Sequence, residues 1–241
     1  MALPKLIAPE FQIKLFSIPE PVKYRPYLVG EEKIFLMAQQ SGAPEDIEQA
    51  VRQIVRNCTF DRVDVAKLPT FDLEYLFLQL RARSVNNIVQ LRYGCQKKDE
   101  SGKACNGIAN IDVDLNEVKL IVPEDHTPLV WLTEDLGVQL RYPTASLLTQ
   151  VEGKTDAEQF EILLSNLLES VVMKDGTLHE AKESTPEEIK AFVESMSIQQ
   201  VERLRHFFDT LPHMEHTIHF ECPICHYKED IILSGLLDFF D

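Results

Sequence analysis

Four of the five cysteines in this 241-residue chain form two pairs that could together bind one metal ion. Cys222 and Cys225 are two residues apart, a spacing that lets both thiolates reach one zinc ion at about 2.3 Å. Cys95 and Cys105 lie between two predicted strands, so that a hairpin would bring both sulfurs to one end. Four sulfurs complete a closed tetrahedral site. We therefore predict a structural Zn²⁺ bound by these four cysteines.

Other interpretations of the cysteines are open at this level. The gap between Cys95 and Cys105 is longer than the usual gap between paired ligands, and the two pairs could be unrelated structural thiols. Disulfide bonds fit less well, because nothing in the sequence indicates secretion. A histidine could replace one thiolate, with His219 and His226 as the nearest candidates. Cys58 ends a predicted amphipathic helix, which is typical of a small buried hydrophobic residue.

The elements that must position these residues predict an α+β fold, in which helical layers surround a small antiparallel sheet. Alternating apolar and polar residues predict strands from Ile88 to Cys95 and over 108–115, and these form the first cysteine hairpin. A second hairpin is expected from His216 to Leu233. The two distant hairpins would form a zinc-ribbon-like site. Additional strands are expected at 118–122, 128–132 and 137–142.

Helical spacing of apolar residues and the capping signals predict the helices. Thr70 is the expected N-cap of the third helix, Thr155 or Asp156 begins the fourth, and capping boxes begin the last two at Thr185 and Ser197. The expected ranges are 30–40, 44–58, 71–84, from 155 or 156 to about 174, 186–195 and 198–211.

The chain is expected to divide into five segments, of which those from residue 30 onward form one compact domain. Prolines keep the first segment from becoming helical. Its apolar residues, like those of the C-terminal tail, are expected to pack on the chain's own domain, with a partner's surface as the alternative. The segments are an extended N-terminal arm (1–29), a helical region (30–84), a β region with the first cysteine hairpin (85–142), an acidic helical region (143–213), and the second cysteine hairpin with an apolar tail (214–241).

Composition argues against several classes of protein. The formal net charge of −15 disfavours nonspecific binding to a phosphate backbone. No stretch is long and apolar enough to predict a membrane-spanning helix, and the first residues lack the pattern of a signal peptide, so a protein made in the cytosol is expected. Phosphate-binding loops and hydrolase motifs are not found, and no residue can be given a catalytic role. We therefore expect no enzymatic activity.

Several stretches together resemble one protein family. They are a proline-punctuated arm leading into Tyr24–Ala38, the helix Phe71–Ser84, the strand that follows it into Cys95, and the late Cys-x-x-Cys. In order and length these stretches resemble the baseplate hub proteins of T4-like contractile-tailed bacteriophages.

This resemblance implies a nonenzymatic component or assembly factor of the baseplate hub. The implied partners are other hub and tail proteins of the phage, with no nucleic acid among them. The implied location is the host cytoplasm during assembly and then, where the protein stays in the particle, the tail baseplate. An apolar arm and tail would add contact area on a partner, and removal of residues 1–27 would then leave a folded, zinc-containing monomer.

Two rival functions are compatible with parts of the sequence. A nucleic-acid-binding zinc-ribbon regulator could use the one stretch of net positive charge, at 51–100 and just beyond. A metal-dependent hydrolase would need a coordination position open to water, which four thiolates do not leave. The basic residues of the first rival are Arg81, Arg83, Arg92, Lys97, Lys98 and Lys103.

Overall fold

A computed structural model of the chain describes residues 6–98, 102 and 104–240. These residues form two compact units. One contains the chain up to Ile121 together with the segment from His213 onward, and the other contains Val122–Pro212. The predicted α+β class is confirmed, since the described residues contain seven α-helices and small antiparallel sheets of two to four strands.

The first unit opens with the N-terminal arm, which folds into a short hairpin. Strand β1 (Phe11–Ile13) pairs with β2 (Val22–Tyr24) in antiparallel register. Leu15, Tyr24 and Tyr27 are buried in the unit to 4% exposure or less. The expected packing of the arm on its own domain is therefore confirmed.

Three helices follow at the predicted places: α1 (Val29–Ser41), α2 (Pro44–Cys58) and α3 (Thr70–Ser84). The predicted N-cap of α3 is wrong by one residue. Pro69 occupies that position, and its carbonyl accepts the N–H of Leu73, so that Thr70 already lies in the first turn. Proline suits this boundary because its ring fixes φ, and because it has no backbone N–H that would need a hydrogen-bond acceptor at the helix start.

The β region of the first unit begins with the predicted first hairpin. Strand β3 (Ile88–Gly94) pairs with β4 (Ile108–Asp114) in antiparallel register, with Leu91 opposite Ile111. Strand β5 (Lys119–Ile121) follows.

The second unit packs helices against a four-stranded antiparallel sheet. Its strands and helices share a core around Val138, Leu164, Leu204 and Phe207. The predicted capping boxes at Thr185 and Ser197 are confirmed, and Thr155 forms a further capping box at the start of the fourth predicted helix. The elements are β6 (Leu129–Trp131), β7 (Leu136–Leu140), α4 (Ala145–Val151), α5 (Asp156–Leu167), β8 (Leu168–Met173), β9 (Leu178–Glu180), α6 (Pro186–Glu194) and α7 (Ile198–Asp209). The strands pair in the order β6-β7-β8-β9.

One prediction for this unit is wrong. The helix expected to run to about residue 174 ends at Leu167, and strand β8 begins at once. Leucines at helical spacing continue to Leu168, but the backbone of Leu168 is extended, and Val171 pairs with Val138 of β7. The β-branched pair Val171 and Val172 favours this strand over a longer helix. Helix α4 was also not predicted.

The chain then returns to the first unit. Strand β10 (His213–Glu221) pairs with β5 on one side and with β11 (Lys228–Leu233) on the other, which forms the predicted second hairpin. In the tail, Phe239 is fully buried and the ring of Phe240 lies 5.3 Å from that of Phe35. The apolar tail thus packs on its own unit, as expected.

Candidate metal centre

The two hairpins bring the four predicted cysteines into one cluster, with all Sγ atoms within 4.8 Å of one another. The Sγ atoms of Cys95 and Cys225 are 3.7 Å apart, and those of Cys105 and Cys222 are also 3.7 Å apart. Zinc bound tetrahedrally at about 2.3 Å requires sulfur–sulfur distances of about 3.8 Å. The cluster therefore has nearly the spacing that one zinc ion needs.

Backbone pairing beyond the ends of β3 and β4 positions the first two cysteines. The N–H of Cys95 donates to the carbonyl of Gly107 at 2.7 Å, and the N–H of Cys105 donates to the carbonyl of Lys97 at 2.8 Å. These backbone hydrogen bonds thus fix both cysteines at one end of the hairpin.

The second pair lies in a tight turn between β10 and β11. The N–H of Cys222 donates to the carbonyl of Tyr227, and the N–H of His226 donates back to the carbonyl of Cys222. His226 has φ 55°, a left-handed conformation that closes the turn. The backbone N–H groups of Ile224 and Cys225 point at the Sγ of Cys222, at 3.4 and 3.5 Å. Such donors stabilise a negatively charged sulfur.

The thiols of the cluster differ in acidity. Hydrogen bonds from the backbone N–H of Cys225, and then of Ile224, lower the pKa of the Cys222 thiol below its usual value. Burial raises the pKa of the Cys95 thiol. The Cys222 thiol therefore ionises more readily than the Cys95 thiol, from which metal binding must remove the proton.

Gly107 is a residue of the site that the sequence analysis missed. A Cβ atom at this position would overlap the Sγ of Cys222. Glycine is thus required for the two hairpins to approach each other closely. The sequence Cys105-Asn106-Gly107 contained a signal for this close approach, because a glycine lies two residues after a potential metal ligand.

A small apolar cluster surrounds the sulfurs. Cys95, Cys222 and Phe220 are buried, with Tyr93 and Tyr227 packed against them. The ammonium group of Lys97 lies 5.7 Å from the centre of the Tyr227 ring, which adds a cation–π contact between the hairpins. This cluster is too small to order two hairpins by burial alone, so a bound metal would contribute much of their stability.

The alternatives to four-thiolate binding fit the geometry less well. Sulfurs 3.7 Å apart are beyond the bonding distance of a disulfide, about 2.05 Å. Among the described residues, the ligand group contains cysteines only. His219 is exposed, with Nδ1 2.6 Å from a carboxylate oxygen of Asp230. His226 is exposed beside Glu221. The donor set therefore fits a closed structural zinc site.

Comparison with known proteins decides the family. A model of the T4 bacteriophage base plate protein family matches residues 8–241, which include both cysteine hairpins. The chain belongs to this family. The resemblance seen in the sequence is thus confirmed for the base plate, while the family description does not specify the hub. Comparisons with curated proteins and with solved structures found no match.

Two of the basic residues of the rival nucleic-acid interpretation contact aromatic rings in this base plate protein. The guanidinium of Arg83 lies over the ring of Phe11, at 5.3 Å from its centre, and Lys97 packs against Tyr227. Lys103 lies outside the described residues.

Within the described residues, no helix has both the length and the hydropathy that crossing a bilayer requires.

Proposed function

We propose that this chain is a nonenzymatic component or assembly factor of the baseplate hub, and that a structural Zn²⁺ bound by Cys95, Cys105, Cys222 and Cys225 holds its two hairpins together. The family match over residues 8–241 carries the proposal. The closed set of four sulfur donors supports a structural rather than a catalytic metal. The partners are then other hub and tail proteins, met first in the host cytoplasm and then in the tail baseplate.

Sedimentation of infected-cell extracts tests the hub assignment. The chain, tagged at the end that leaves the phage viable, is followed through fractions that separate free protein, hub intermediates, complete baseplates and mature particles. We expect it in the hub intermediates. Its presence only in the free fraction would refute the assignment, and its presence or absence in mature particles would separate a structural component from an assembly factor.

Metal analysis of the purified protein tests the zinc assignment separately. We expect one zinc per chain, with an absorption spectrum after cobalt substitution that reports four sulfur ligands in a tetrahedral arrangement. Fewer than four sulfur ligands, or a second metal, would contradict a closed structural site. Because this experiment needs no partner protein, its result is independent of the hub assignment.

A further inference from the structure

The outer edge of strand β3 offers backbone groups that no other strand of the described residues uses. Hydrogen bonds from Leu115 to Asn87 and from Cys95 to Gly107 fix the ladder between β3 and β4. Because hydrogen-bonded residues alternate in an antiparallel pair, Ile88, Gln90 and Arg92 direct their N–H and C=O groups away from β4.

Two of these three residues have open backbone groups. The N–H of Ile88 is taken by the side chain of Asn86, at 3.2 Å. For Gln90 and Arg92, the part of the chain that the structure describes provides no partner for the backbone N–H or C=O. Strand edges of this kind are templates for another strand.

A groove of about 300 Å³ runs along this edge. Four consecutive residues of β3, from Ile88 to Leu91, line it, which places the groove at the edge of the strand rather than on one face. Phe35 and Leu36 of α1 form the opposite side, and the tail contributes Phe239 and Phe240. Leu36 and Ile88 are exposed at its rim.

The edge of β6 in the second unit shows how this chain covers an edge beside a groove. There the hydroxyl of Thr127 accepts the N–H of Leu129 at 3.2 Å, and Arg203 donates to the carbonyls of Trp131 and Leu132 at 3.1 Å. At the edge of β3, the described residues provide a side-chain hydrogen bond of this kind only to the N–H of Ile88. The edge of β3 is therefore open for pairing at Gln90 and Arg92.

The charges beside the β3 edge indicate what would pair with it. Arg81 lines the groove together with Glu32, and Arg92 is exposed on the outer face of the strand, where the carboxylate of Asp112 accepts a hydrogen bond from Gln90. Neither arginine has a carboxylate within ion-pair distance among the described residues, in a chain whose net charge is −15. A strand added to β3 would place alternate side chains toward the groove and the others beside Arg92.

We propose that the edge of β3 binds an extended segment of a partner protein, in which apolar residues alternate with acidic ones, by addition of a strand. The partner's main chain would hydrogen-bond to Gln90 and Arg92, its apolar side chains would enter the groove beside Phe35 and Leu36, and its carboxylates would meet Arg92. This inference deepens the proposed assembly role by giving the kind of partner segment, and it rests on that role.

Proline at position 90 gives the sharpest test. Gln90→Pro removes one edge N–H and no bond to β4, whereas Gln90→Ala removes the side-chain bond to Asp112 and keeps the N–H. The probe is an acetylated and amidated nine-residue peptide in which valine alternates with glutamate, measured by fluorescence anisotropy on the zinc-loaded protein. We expect Gln90→Pro to weaken binding at least tenfold and Gln90→Ala to leave it within twofold.

Charge reversal tests the acidic part of the proposal. Arg92→Glu should weaken binding of the glutamate peptide at least fivefold, and Lys119→Glu, an exposed lysine on β5, should change it less than twofold. A peptide with lysine in place of glutamate should bind the wild type at least tenfold more weakly. Equal binding of both peptides, or of the proline and alanine variants, would overturn the proposal, provided that all variants keep their zinc and their melting temperature.

Hydrogen exchange and sedimentation complete the test. The amides of Gln90 and Arg92 should become protected on addition of the peptide, and unchanged exchange would overturn the proposal.

Concentration-dependent dimerisation that Gln90→Pro abolishes would assign the edge to a second copy of the chain instead. If the wild type enters hub intermediates and Gln90→Pro enters them equally well, this inference fails and the hub assignment stands. If the wild type does not enter hub intermediates but binds the peptide as expected, the hub assignment fails and strand addition at the β3 edge stands.

Discussion

The Sγ atoms of Cys105 and Cys222 lie 3.7 Å apart, although 117 positions separate the two residues in the sequence. The whole second unit, Val122–Pro212, lies between these two cysteines in the chain. A metal at this point would close a very long loop, and such a loop loses much conformational entropy on closing. Zinc binding and the folding of the first unit should therefore be strongly linked.

Removal of zinc should destabilise the first unit. At free zinc a thousandfold above its Kd, binding to the folded state alone adds about 4 kcal/mol to the free energy of unfolding. We expect a chelator to lower this free energy by about that amount, measured by urea denaturation with and without the chelator.

Cys222→Ser should abolish stoichiometric zinc and reproduce the effect of the chelator. The control is Cys58→Ala, since Cys58 is a buried thiol outside the cluster whose pKa burial raises to about 12. It should cost some packing energy and keep one zinc per chain. A Cys222→Ser protein that retained full zinc and full stability would contradict the proposed site.

Gly107→Ala should impair zinc binding without removing a ligand. The added methyl group would overlap the Sγ of Cys222, so the two hairpins would have to separate. Gly94→Ala, in the same hairpin, is the matched control, because a Cβ there meets no atom within 4 Å. We expect a rise of at least about tenfold in the Kd for zinc, or about 1.4 kcal/mol, for the first variant only. Competition with a chromogenic chelator measures this, and equal affinities of the two variants would refute the role of Gly107.

The sequence was sufficient to predict the cysteine cluster because the chemistry of each pair is local. Cys222-x2-Cys225 lies in one turn, and the alternation of apolar residues around Cys95 and Cys105 places both at one end of a hairpin. The two cysteine pairs meet because the hairpins approach each other closely at Gly107. This approach is a tertiary contact, and no periodic pattern in the sequence encodes it. The same distinction explains helices α6 and α7, whose capping boxes at Thr185 and Ser197 are local signals and were predicted correctly.

The errors arose where tertiary pairing overrides local preference. Residues 156–168 have helical periodicity throughout, yet the chain becomes a strand at Leu168, because pairing with β7 places Val171 opposite Val138. The open edge of β3 could not be predicted either, since the alternation shows only that residues 88–95 form a strand. Which of its edges is covered depends on elements distant in sequence.

Removal of the N-terminal arm should unfold the first unit rather than free a partner-binding segment. The arm supplies Leu15, Tyr24 and Tyr27 to the core, all nearly inaccessible to solvent. Deletion of residues 1–27 should therefore give an insoluble or molten product, assessed by near-ultraviolet circular dichroism, in contrast to the expectation from the sequence. A folded monomer with one zinc would contradict this prediction.

A single substitution at Asp72 tests how the arm is attached without removing the arm. The carboxylate of Asp72 is fully buried and accepts the N–H groups of Phe16 at 3.0 Å and Ser17 at 2.7 Å. Asp72→Ala leaves both donors without this partner, and we expect a loss of about 2 to 4 kcal/mol in the free energy of unfolding. Asp64→Ala, at an exposed position that pairs with Lys67, should cost less than about 1 kcal/mol. Equal losses would show that the arm is held by other contacts.

One carboxyl group in the first unit, that of Glu74, should contribute less to stability as the pH rises from about 5 to 8. Burial, and then the nearby charge of Asp238, raise the pKa of Glu74 to about 7 in the folded protein. A folded-state pKa above the unfolded value means that the folded state holds the proton more tightly, so the stabilisation is complete at low pH and disappears as the pH passes the folded pKa. The difference from an ordinary glutamate corresponds to about 3 kcal/mol at most.

Glu74→Gln should remove this part of the pH dependence, because the amide imitates the protonated carboxyl group. We expect the variant to match the wild type near pH 5 and to exceed its free energy of unfolding near pH 8 by about 1 to 3 kcal/mol, measured by urea denaturation at both pH values. Glu187→Gln, at an exposed position in α6, is the control and should leave the pH dependence unchanged. If Glu74→Gln lost stability equally at both pH values, the carboxyl group would serve in packing or hydrogen bonding, and its titration would not govern the stability of the tail beside Asp238.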